Sequence, residues 1–131
     1  MQMQGVPHDL YPGVAGHIRP FLAKFTEDGA HDVQFFEDQI ADRSMQLWVG
    51  GDDGIKVVCL TEIGTDKLKT CHVSFCTGED VNSWVHLIND ICRWAKEIGC
   101  GRIRVTARPG YERLLTQHSF RKTHVVLDRS L

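Results

Sequence analysis

Apolar residues in the first third of the chain recur every three or four positions, which is the spacing of one helix face. A short strand or extended lead is followed by a predicted helix that starts after Tyr11-Pro12 and ends near Asp28-Gly29. A second helix follows, because Asp32 can cap it and its apolar residues stop before Ser44. The two apolar stripes are Val14, Ile18, Phe21, Leu22 and Phe25, and then Val33, Phe36 and Ile40.

After Ser44 the apolar positions alternate with polar or larger ones, as they do along a half-buried strand. Residues 45–49 form a first strand, the glycine-rich residues 50–54 form a turn, and residues 55–60 resume as a short apolar run. A second polar turn at residues 64–69 precedes another alternating stretch at residues 71–76. This part of the sequence therefore predicts three antiparallel strands.

The strongest helical pattern covers residues 81–98 and stops at Gly99. Residues 102–108 then alternate as one half-buried strand, a short helix starts at Pro109-Gly110, and residues 123–127 predict a last strand. The stripe of the long helix consists of Val81, Trp84, Val85, Ile88, Ile91, Cys92, Ala95 and Ile98.

This order of elements predicts an α/β fold of the α+β type, in which helices cover both faces of a mixed sheet. The helix at residues 81–98 should cross from the strand at 71–76 to a parallel strand at 102–108, with the usual right hand. The side chains expected to be largely buried on this helix are Trp84, Ile88, Ile91, Ala95 and Ile98.

The composition limits the class of protein further. A chain of 131 residues, 42% of them hydrophobic, is sufficient for one core, so residues 1–131 are predicted to form a single domain. Its five cysteines are odd in number and contain no CxxC pair, which favours a reducing cytoplasm over a disulfide framework. No apolar run approaches the ~20 residues of a membrane span. Cys71 and Cys76 would point to opposite faces of a strand, so no metal site is expected.

Charge is distributed unevenly along the chain. The net charge is −2, yet the segment from Gly99 onward contains seven basic residues and only two acidic ones. This basic surface is either a solvated face or a docking site for an acidic protein, a phosphate-bearing ligand or nucleic acid. Nucleic acid is disfavoured because few aromatic residues interleave with the cations. The basic residues concerned are Arg102, Arg104, Arg108, Arg113, Arg121 and Lys122.

A family resemblance appears at the end of the long helix. The segment Trp94-Ala95-Lys96-Glu97-Ile98-Gly99-Cys100, followed by Ile103-Arg104-Val105-Thr106-Ala107, resembles the GNAT superfamily of N-acetyltransferases, in which such a helix leads into the next strand. The resemblance implies a GNAT-like fold over nearly the whole chain. The sequence also resembles the short GNAT-type proteins that tailed phages encode beside their virion genes.

The resemblance implies where acyl-CoA would bind. The family holds the pyrophosphate with a glycine-rich R/Q-x-x-G-x-G/A loop at a helix start, where backbone N–H groups converge on the anion. The glycine positions of this loop correspond to Asn82, Ser83 and Trp84, none of which is a glycine. Binding of acyl-CoA through such a loop is therefore not expected. The candidate loop comprises Phe75, Cys76, Thr77, Gly78, Asn82, Ser83 and Trp84.

The resemblance also implies where catalytic groups would lie. The tyrosine that serves the family as a general acid stands four residues before a "GF" pair, and this position maps to Leu115, because Ser119-Phe120 replaces the pair. An aliphatic side chain cannot donate a proton. Tyr111, one helical turn earlier, is the candidate substitute. Glu62 and Glu79 are candidate bases, although both are also typical of solvated turn acids.

These observations favour a GNAT-fold protein that no longer transfers acetyl groups. It would act as an interaction or assembly component with a protein partner, such as another virion protein, in the host cytoplasm or the virion, and without a cofactor. The alternative is an active N-acetyltransferase that binds acetyl-CoA through an atypical loop. A nucleic-acid-binding accessory protein that uses the basic residues is a third reading, and no membrane partner is expected.

Overall fold

The computed structural model of this chain describes residues 1–27 and 29–131. The strands in these residues are β1 (Met3–Val6), β2 (Gln46–Gly50), β3 (Val57–Thr65), β4 (Lys69–Gly78) and β5 (Arg102–Val105). The helices are α1 (Tyr11–Lys24), α2 (Val33–Ala41), α3 (Val81–Trp84), α4 (Ile88–Glu97) and α5 (Glu112–Thr116), with 3₁₀ turns at Val85–Leu87 and Pro109–Tyr111.

The described strands form one mixed sheet in the order β1-β2-β3-β4-β5. Neighbouring strands are antiparallel from β1 to β4, and β5 runs parallel to β4, with Cys71 opposite Ile103 and Val73 opposite Val105. The segment from α3 to α4 connects these two parallel strands. The predicted mixed α/β sheet and the predicted parallel pair are both confirmed.

Alternate residues of the strands supply two hydrophobic cores, one on each face of the sheet. Leu47, Val58 and Leu60 pack with α1 and α2 on one face. Trp48, with the residues of β3 and β4 that point the same way, packs against α3 and α4 on the other. The largest fully buried side chains include Phe36, Ile18, Leu22, Leu87 and Ile91. Helices on both faces are therefore confirmed.

The first two helices follow the sequence signals closely. Pro12 lies in the first turn of α1, where its missing N–H costs nothing. The Asp32 side chain caps α2 by accepting a 2.8 Å hydrogen bond from the Phe35 amide, as predicted. Helix α1 ends at Lys24, earlier than the predicted end near Asp28, and Asp28 itself lies outside the described residues.

The prediction of one continuous helix over residues 81–98 was wrong in detail. A 3₁₀ turn at Val85–Leu87 separates α3 from α4. With this tighter turn Leu87 is buried in the core, where its Cδ1 atom would lie 2.9 Å from a Cβ added to Gly50. Leu87 was outside the predicted apolar stripe, because a regular helical period places it on another face.

The predicted burial of this segment is largely confirmed. Trp84, Ile88, Ile91 and Ala95 are buried. Ile98 is only half-buried, because it caps the end of α4, and its carbonyl accepts a 2.6 Å hydrogen bond from the Lys69 ammonium group.

The end of the chain departs most from the predicted pattern. β5 stops at Val105 rather than at residue 108, because Pro109 starts a 3₁₀ turn and the chain leaves the sheet before it. Residues 123–127, predicted as a last strand, have no regular structure in the described chain. A strand pattern is local, whereas a strand requires a neighbouring edge, and here none of the described strands lies beside this segment.

Candidate functional site

A cleft opens where β4 and β5 diverge. Their parallel pairing ends at Val73 and Val105, after which the Thr106 amide makes a long 3.4 Å hydrogen bond to the Val73 carbonyl. β4 continues along β3 to Gly78, whereas the chain turns away after Val105. On the side of β4 away from β3, residues 74–77 therefore face an opening of about 530 Å³ instead of another strand. This volume is typical of small-molecule sites.

The walls of the cleft come from four parts of the chain. The end of β4 forms one wall, and residues 105–108 with Tyr111 form the wall opposite. Trp84, Val85 and Ile88 close the apolar side. The end of α1 contributes the rim, where Lys24 and Glu27 place one cation and one anion beside the ring of Phe25. The cleft thus combines an apolar interior with a polar rim.

A β-bulge in β4 shapes the mouth of this cleft. Leu60 pairs with Phe75 and the next residue, Thr61, pairs with Val73, so Ser74 is the extra residue on β4. The Ser74 hydroxyl donates a 2.6 Å hydrogen bond to the carboxylate of Glu62, which is half-buried on β3. Glu62 therefore contacts the cleft wall through Ser74.

Two thiols meet at the base of the cleft. Cys59 and Cys76 are direct cross-strand partners, and their Sγ atoms lie 2.6 Å apart. The hydrogen bond with Cys76, together with complete burial, raises the pKa of the Cys59 thiol well above its usual value. Cys59 therefore stays protonated at neutral pH and is not a ready nucleophile.

The turn after β4 carries the residues assigned to a cofactor loop. Gly78 ends the strand, Glu79 and Asp80 are exposed, and Asp80 has a left-handed backbone with φ 51°. The Ser83 amide and hydroxyl both donate to the Asp80 carbonyl, at 2.9 and 2.7 Å, so the turn is closed on itself. In the part of the chain that is described, neither Asn82 nor Ser83 lines the cleft.

The indole of Trp84 fills the space behind this turn. Trp84 is buried and lines the cleft, and a Cβ added to Gly78 would lie 2.7 Å from its Nε1 atom and 2.6 Å from the Lys56 carbonyl. Protein atoms therefore occupy the space that a glycine at position 78 leaves open. Among the described residues, the buried Nε1 group has no hydrogen-bond partner.

Tyr111 lies in the wall opposite β4. It is half-buried at the end of the second 3₁₀ turn, where its amide donates a 2.9 Å hydrogen bond to the Arg108 carbonyl. Leu115 lies one turn later and also lines the cleft. The structure thus brings Tyr111 to the same opening as Phe75, Cys76, Thr77 and Trp84, whereas Glu79 lies on the exposed turn.

The basic residues do not all share one environment. Arg102 and Arg104 are half-buried on β5, and the Arg102 Nε group donates a 3.0 Å hydrogen bond to the Thr70 hydroxyl. Arg108 lines the cleft. Further along the chain, the exposed residues are Arg113, Arg121 and Lys122, of which Lys122 lies 3.7 Å from Glu112.

Sequence reasoning missed the contribution of α1 to the cleft. Phe25 packs against Phe75 with a ring-centroid distance of 5.3 Å, and Lys24 and Glu27 lie at the same rim. Phe25 was recognised only as the last apolar residue of a helical stripe. No sequence signal shows which end of the sheet this helix end approaches.

The described residues contain neither a cluster of metal ligands nor a membrane-spanning helix. Nowhere in residues 1–27 and 29–131 do three or more histidine, cysteine or acidic side chains gather as a metal ion would require. Over the same ranges, no helix combines the length and apolar character needed to cross a membrane.

Comparison with known proteins relates the fold to acetyltransferases. No protein-family model matches the sequence, and no curated protein matches it. The ribosomal-protein-alanine N-acetyltransferase of Brucella melitensis biovar Abortus aligns with a TM-score of 0.73 at 15% identity, covering 99% of this chain and 100% of that chain. Glucosamine-6-phosphate N-acetyltransferase from Arabidopsis thaliana aligns with a TM-score of 0.71 at 9% identity, covering 98% of this chain and 97% of that chain.

A third similar structure was determined with acetyl-CoA. This predicted acetyltransferase from Clostridium acetobutylicum has a TM-score of 0.67 at 11% identity and covers 98% of this chain and 95% of that chain. All three alignments extend over nearly the full length of both chains, at identities that indicate shared architecture only. The chain therefore has the fold of the GNAT acetyltransferases.

Proposed function

We propose that this chain is a GNAT-fold binding or assembly component. It would not transfer acetyl groups from acyl-CoA held by a glycine-rich loop at a helix start. The observation that carries the proposal is the segment from Thr77 to Trp84. In an acyl-CoA site of this fold, that segment would have to receive the pyrophosphate of the cofactor.

The turn offers little to an anion. Pyrophosphate binding at a helix start requires several backbone N–H groups that converge on one point. Here α3 has only four residues before the 3₁₀ turn, and the Ser83 amide is already bonded to the Asp80 carbonyl. The exposed side chains of Glu79 and Asp80 add negative charge at the position where the ligand would be most negative. Charge and geometry both support loss of the usual cofactor mode.

Steric occupancy supports the same conclusion. Glycines in such a loop admit the pyrophosphate because they leave space beside the backbone. Beside Gly78 that space holds the Trp84 indole and the Lys56 carbonyl. A pyrophosphate could enter only if the buried indole moved out of the core, so the residues present do not fit acyl-CoA bound in this way.

The catalytic positions are also unlike those of a transferase. Leu115, at the position that corresponds to the family's tyrosine, has no ionisable group. Glu62 is engaged by the Ser74 hydroxyl, and Glu79 is exposed on the turn. These features support a scaffold used for binding.

The basic residues support a protein partner with an acidic surface. Arg113 and Arg121 are exposed, and Arg108, which precedes them along the chain, lines the cleft. Exposed cations attract an oppositely charged surface and accelerate its association. A protein with an acidic surface would therefore complement the charge of these residues. The sequence resemblance to phage proteins suggests a virion as the setting.

Calorimetric titration with acetyl-CoA tests this proposal. We expect no saturable binding up to about 1 mM ligand, because the turn cannot hold the pyrophosphate. An amine panel of polyamine, peptide and aminoglycoside should be acetylated no faster than in buffer. Micromolar binding, together with acetylation that Trp84→Gly abolishes, would identify an unorthodox cofactor site and refute the proposal.

An N-acetyltransferase with an atypical loop is the second candidate function. It is favoured by one observation, the open cleft of about 530 Å³ that has Tyr111 in its wall. Tyr111→Phe keeps the ring and removes the hydroxyl, so it discriminates between the candidates. A transferase that uses this hydroxyl would lose rate without losing stability, whereas a binding component has no rate to lose.

A further inference from the structure

Two cysteines on neighbouring strands face each other across the sheet. Cys59 on β3 and Cys76 on β4 are direct cross-strand partners, and both are free thiols. Their Sγ atoms lie 2.6 Å apart, which is only about 0.6 Å more than the length of a disulfide bond. Directly opposed residues of antiparallel strands have Cα separations that a disulfide spans. Formation of a bond between the two sulfurs therefore requires little movement of either strand.

The two thiols differ in their access to solvent. Both line the cleft, but Cys59 is only 2% exposed, whereas Cys76 is half-buried. The opening of about 530 Å³ is many times the ~30 Å³ of a water molecule, and hydrogen peroxide is only slightly larger than water. A small oxidant that enters the cleft therefore reaches Cys76 first, with the Cys59 sulfur in contact with it.

The hydrogen bond between the thiols also distinguishes their roles. This hydrogen bond and complete burial raise the pKa of Cys59 well above its usual value, so Cys59 keeps its proton at neutral pH. Because a thiol reacts with an oxidant as the thiolate, Cys59 reacts slowly on its own. Cys76 is therefore the thiol that is oxidised first, and Cys59 is a neutral thiol held beside it.

We propose that Cys59 and Cys76 form an oxidative modification site at which hydrogen peroxide converts the two thiols into a disulfide. The Cys76 thiolate attacks one peroxide oxygen and the O–O bond breaks, which leaves a sulfenic acid on Cys76 and a hydroxide that takes up the proton lost by Cys76. The Cys59 sulfur then attacks the sulfenic sulfur, and the S–O bond breaks. The hydroxyl group leaves with the Cys59 proton as water. In total, two thiols are oxidised, one peroxide is reduced and two water molecules form.

The contact between the sulfurs determines how far Cys76 is oxidised. A sulfenic acid without a neighbouring thiol proceeds to sulfinic and sulfonic acids, which are irreversible products, whereas a disulfide is reversed by thiol reductants. Capture by Cys59 thus keeps the modification reversible, and it replaces the Cys76 thiol at the base of the cleft with a disulfide. This site goes beyond the proposed function and stands whether or not acetyl-CoA binds.

A count of free thiols tests the modification. The reduced chain is treated with a small molar excess of hydrogen peroxide, unfolded, alkylated with N-ethylmaleimide and weighed intact by mass spectrometry. The untreated parent should carry five adducts and the oxidised parent two fewer, and dithiothreitol should restore all five. Chymotrypsin cleaves after Phe75 and so separates Cys71 from Cys76, and the linked peptides should contain Cys59 and Cys76. A parent that keeps five adducts, or a linkage that leaves out either cysteine, would overturn the proposal.

Three variants separate the roles of the thiols. Cys59→Ala removes the second thiol, so its Cys76 should stop at a sulfenic acid that dimedone traps, whereas the parent should give little dimedone adduct. Cys76→Ser replaces a half-buried side chain, should keep the fold even where Cys59→Ala does not, and should retain all its thiols after peroxide. Cys100→Ser is the matched control, because Cys100 is also half-buried, and it should form the same disulfide as the parent. Loss of two thiols in Cys76→Ser, or of the disulfide in Cys100→Ser, would refute the assignment.

Discussion

Gly78 occupies a position at which the structure leaves no room for a side chain. A Cβ there would approach the Lys56 carbonyl and the Trp84 indole to within 2.6 and 2.7 Å. Gly78→Ala should therefore force a backbone or an indole shift and lower the free energy of unfolding by about 1–3 kcal/mol. Urea denaturation followed by tryptophan fluorescence measures the change.

Gly110→Ala is the control for that substitution. No heavy atom lies within 4 Å of a Cβ at Gly110, and its stability should remain within about 0.5 kcal/mol of the parent. Equal midpoints for the two variants would show that the indole does not pack against Gly78.

At the level of single residues, the sequence predicts part of the candidate site. That Asn82, Ser83 and Trp84 are not glycines is evident from the sequence alone, and the loss of a phosphate-binding loop there stays a prediction. The apolar stripe predicted that Trp84 is buried, which is confirmed, but that its indole lies beside Gly78 is seen only in the folded chain. The contribution of Lys24 and Glu27 depends on where α1 ends in space, which no local pattern contains.

The apolar face of α4 provides a prediction for a whole element. Ile91 is fully buried in the core between α4 and the sheet. Ile91→Ala should lower the free energy of unfolding by about 2–5 kcal/mol, because it removes buried methyl groups and leaves a cavity. Asn89→Ala, on the exposed side of the same helix, is the matched control and should change stability little. Comparable losses in both variants would mean that the face of the helix is misassigned.

Helix α1 offers a change in the opposite direction. Gly16 lies in its interior, is exposed, and would place a Cβ in open space. Gly16→Ala should raise the free energy of unfolding by about 0.5–1 kcal/mol, because alanine loses less backbone entropy on folding. Thermal denaturation by circular dichroism measures the gain. A lower midpoint than the parent's would show that a Cβ at Gly16 does not project into open space.

The elements that the sequence predicts well are those whose partners lie nearby along the chain. The amphipathic period places α1, α2 and α4, and the alternation places β2 to β4, because each hairpin partner follows within a short turn. The periodicity does not predict the 3₁₀ turn at Val85–Leu87, because a single turn of different pitch hardly changes the spacing of apolar residues. The predicted strand at residues 123–127 fails because its pairing depends on a distant edge.

At the scale of the whole molecule, the cleft results from a mismatch of strand lengths. β4 extends to Gly78 because β3 accompanies it, while β5 ends at Val105 because the chain leaves the sheet ahead of Pro109. The bulge at Ser74 lies at the point of divergence. Sequence periodicity predicted both strands, but only the assembled sheet shows that they separate.

The buried thiols give the whole molecule a predictable response to alkaline pH. Burial raises the pKa of Cys71 to about 12, with the Cys100 and Cys92 thiols adding to the effect, and burial also raises the pKa of Cys92. A thiol that binds its proton more tightly when folded stabilises the fold fully below its unfolded pKa, near 9.0, and loses that contribution as pH rises toward 12. The free energy of unfolding should therefore fall above about pH 9, by at most ~1.4 kcal/mol per pH unit for each such thiol.

Urea denaturation at about pH 7.5 and about pH 10.5 measures the loss of stability. Cys71→Ala should be less stable than the parent at both pH values, but its free energy of unfolding should fall less between them. If this variant loses as much stability as the parent, the Cys71 thiol is not the group that titrates.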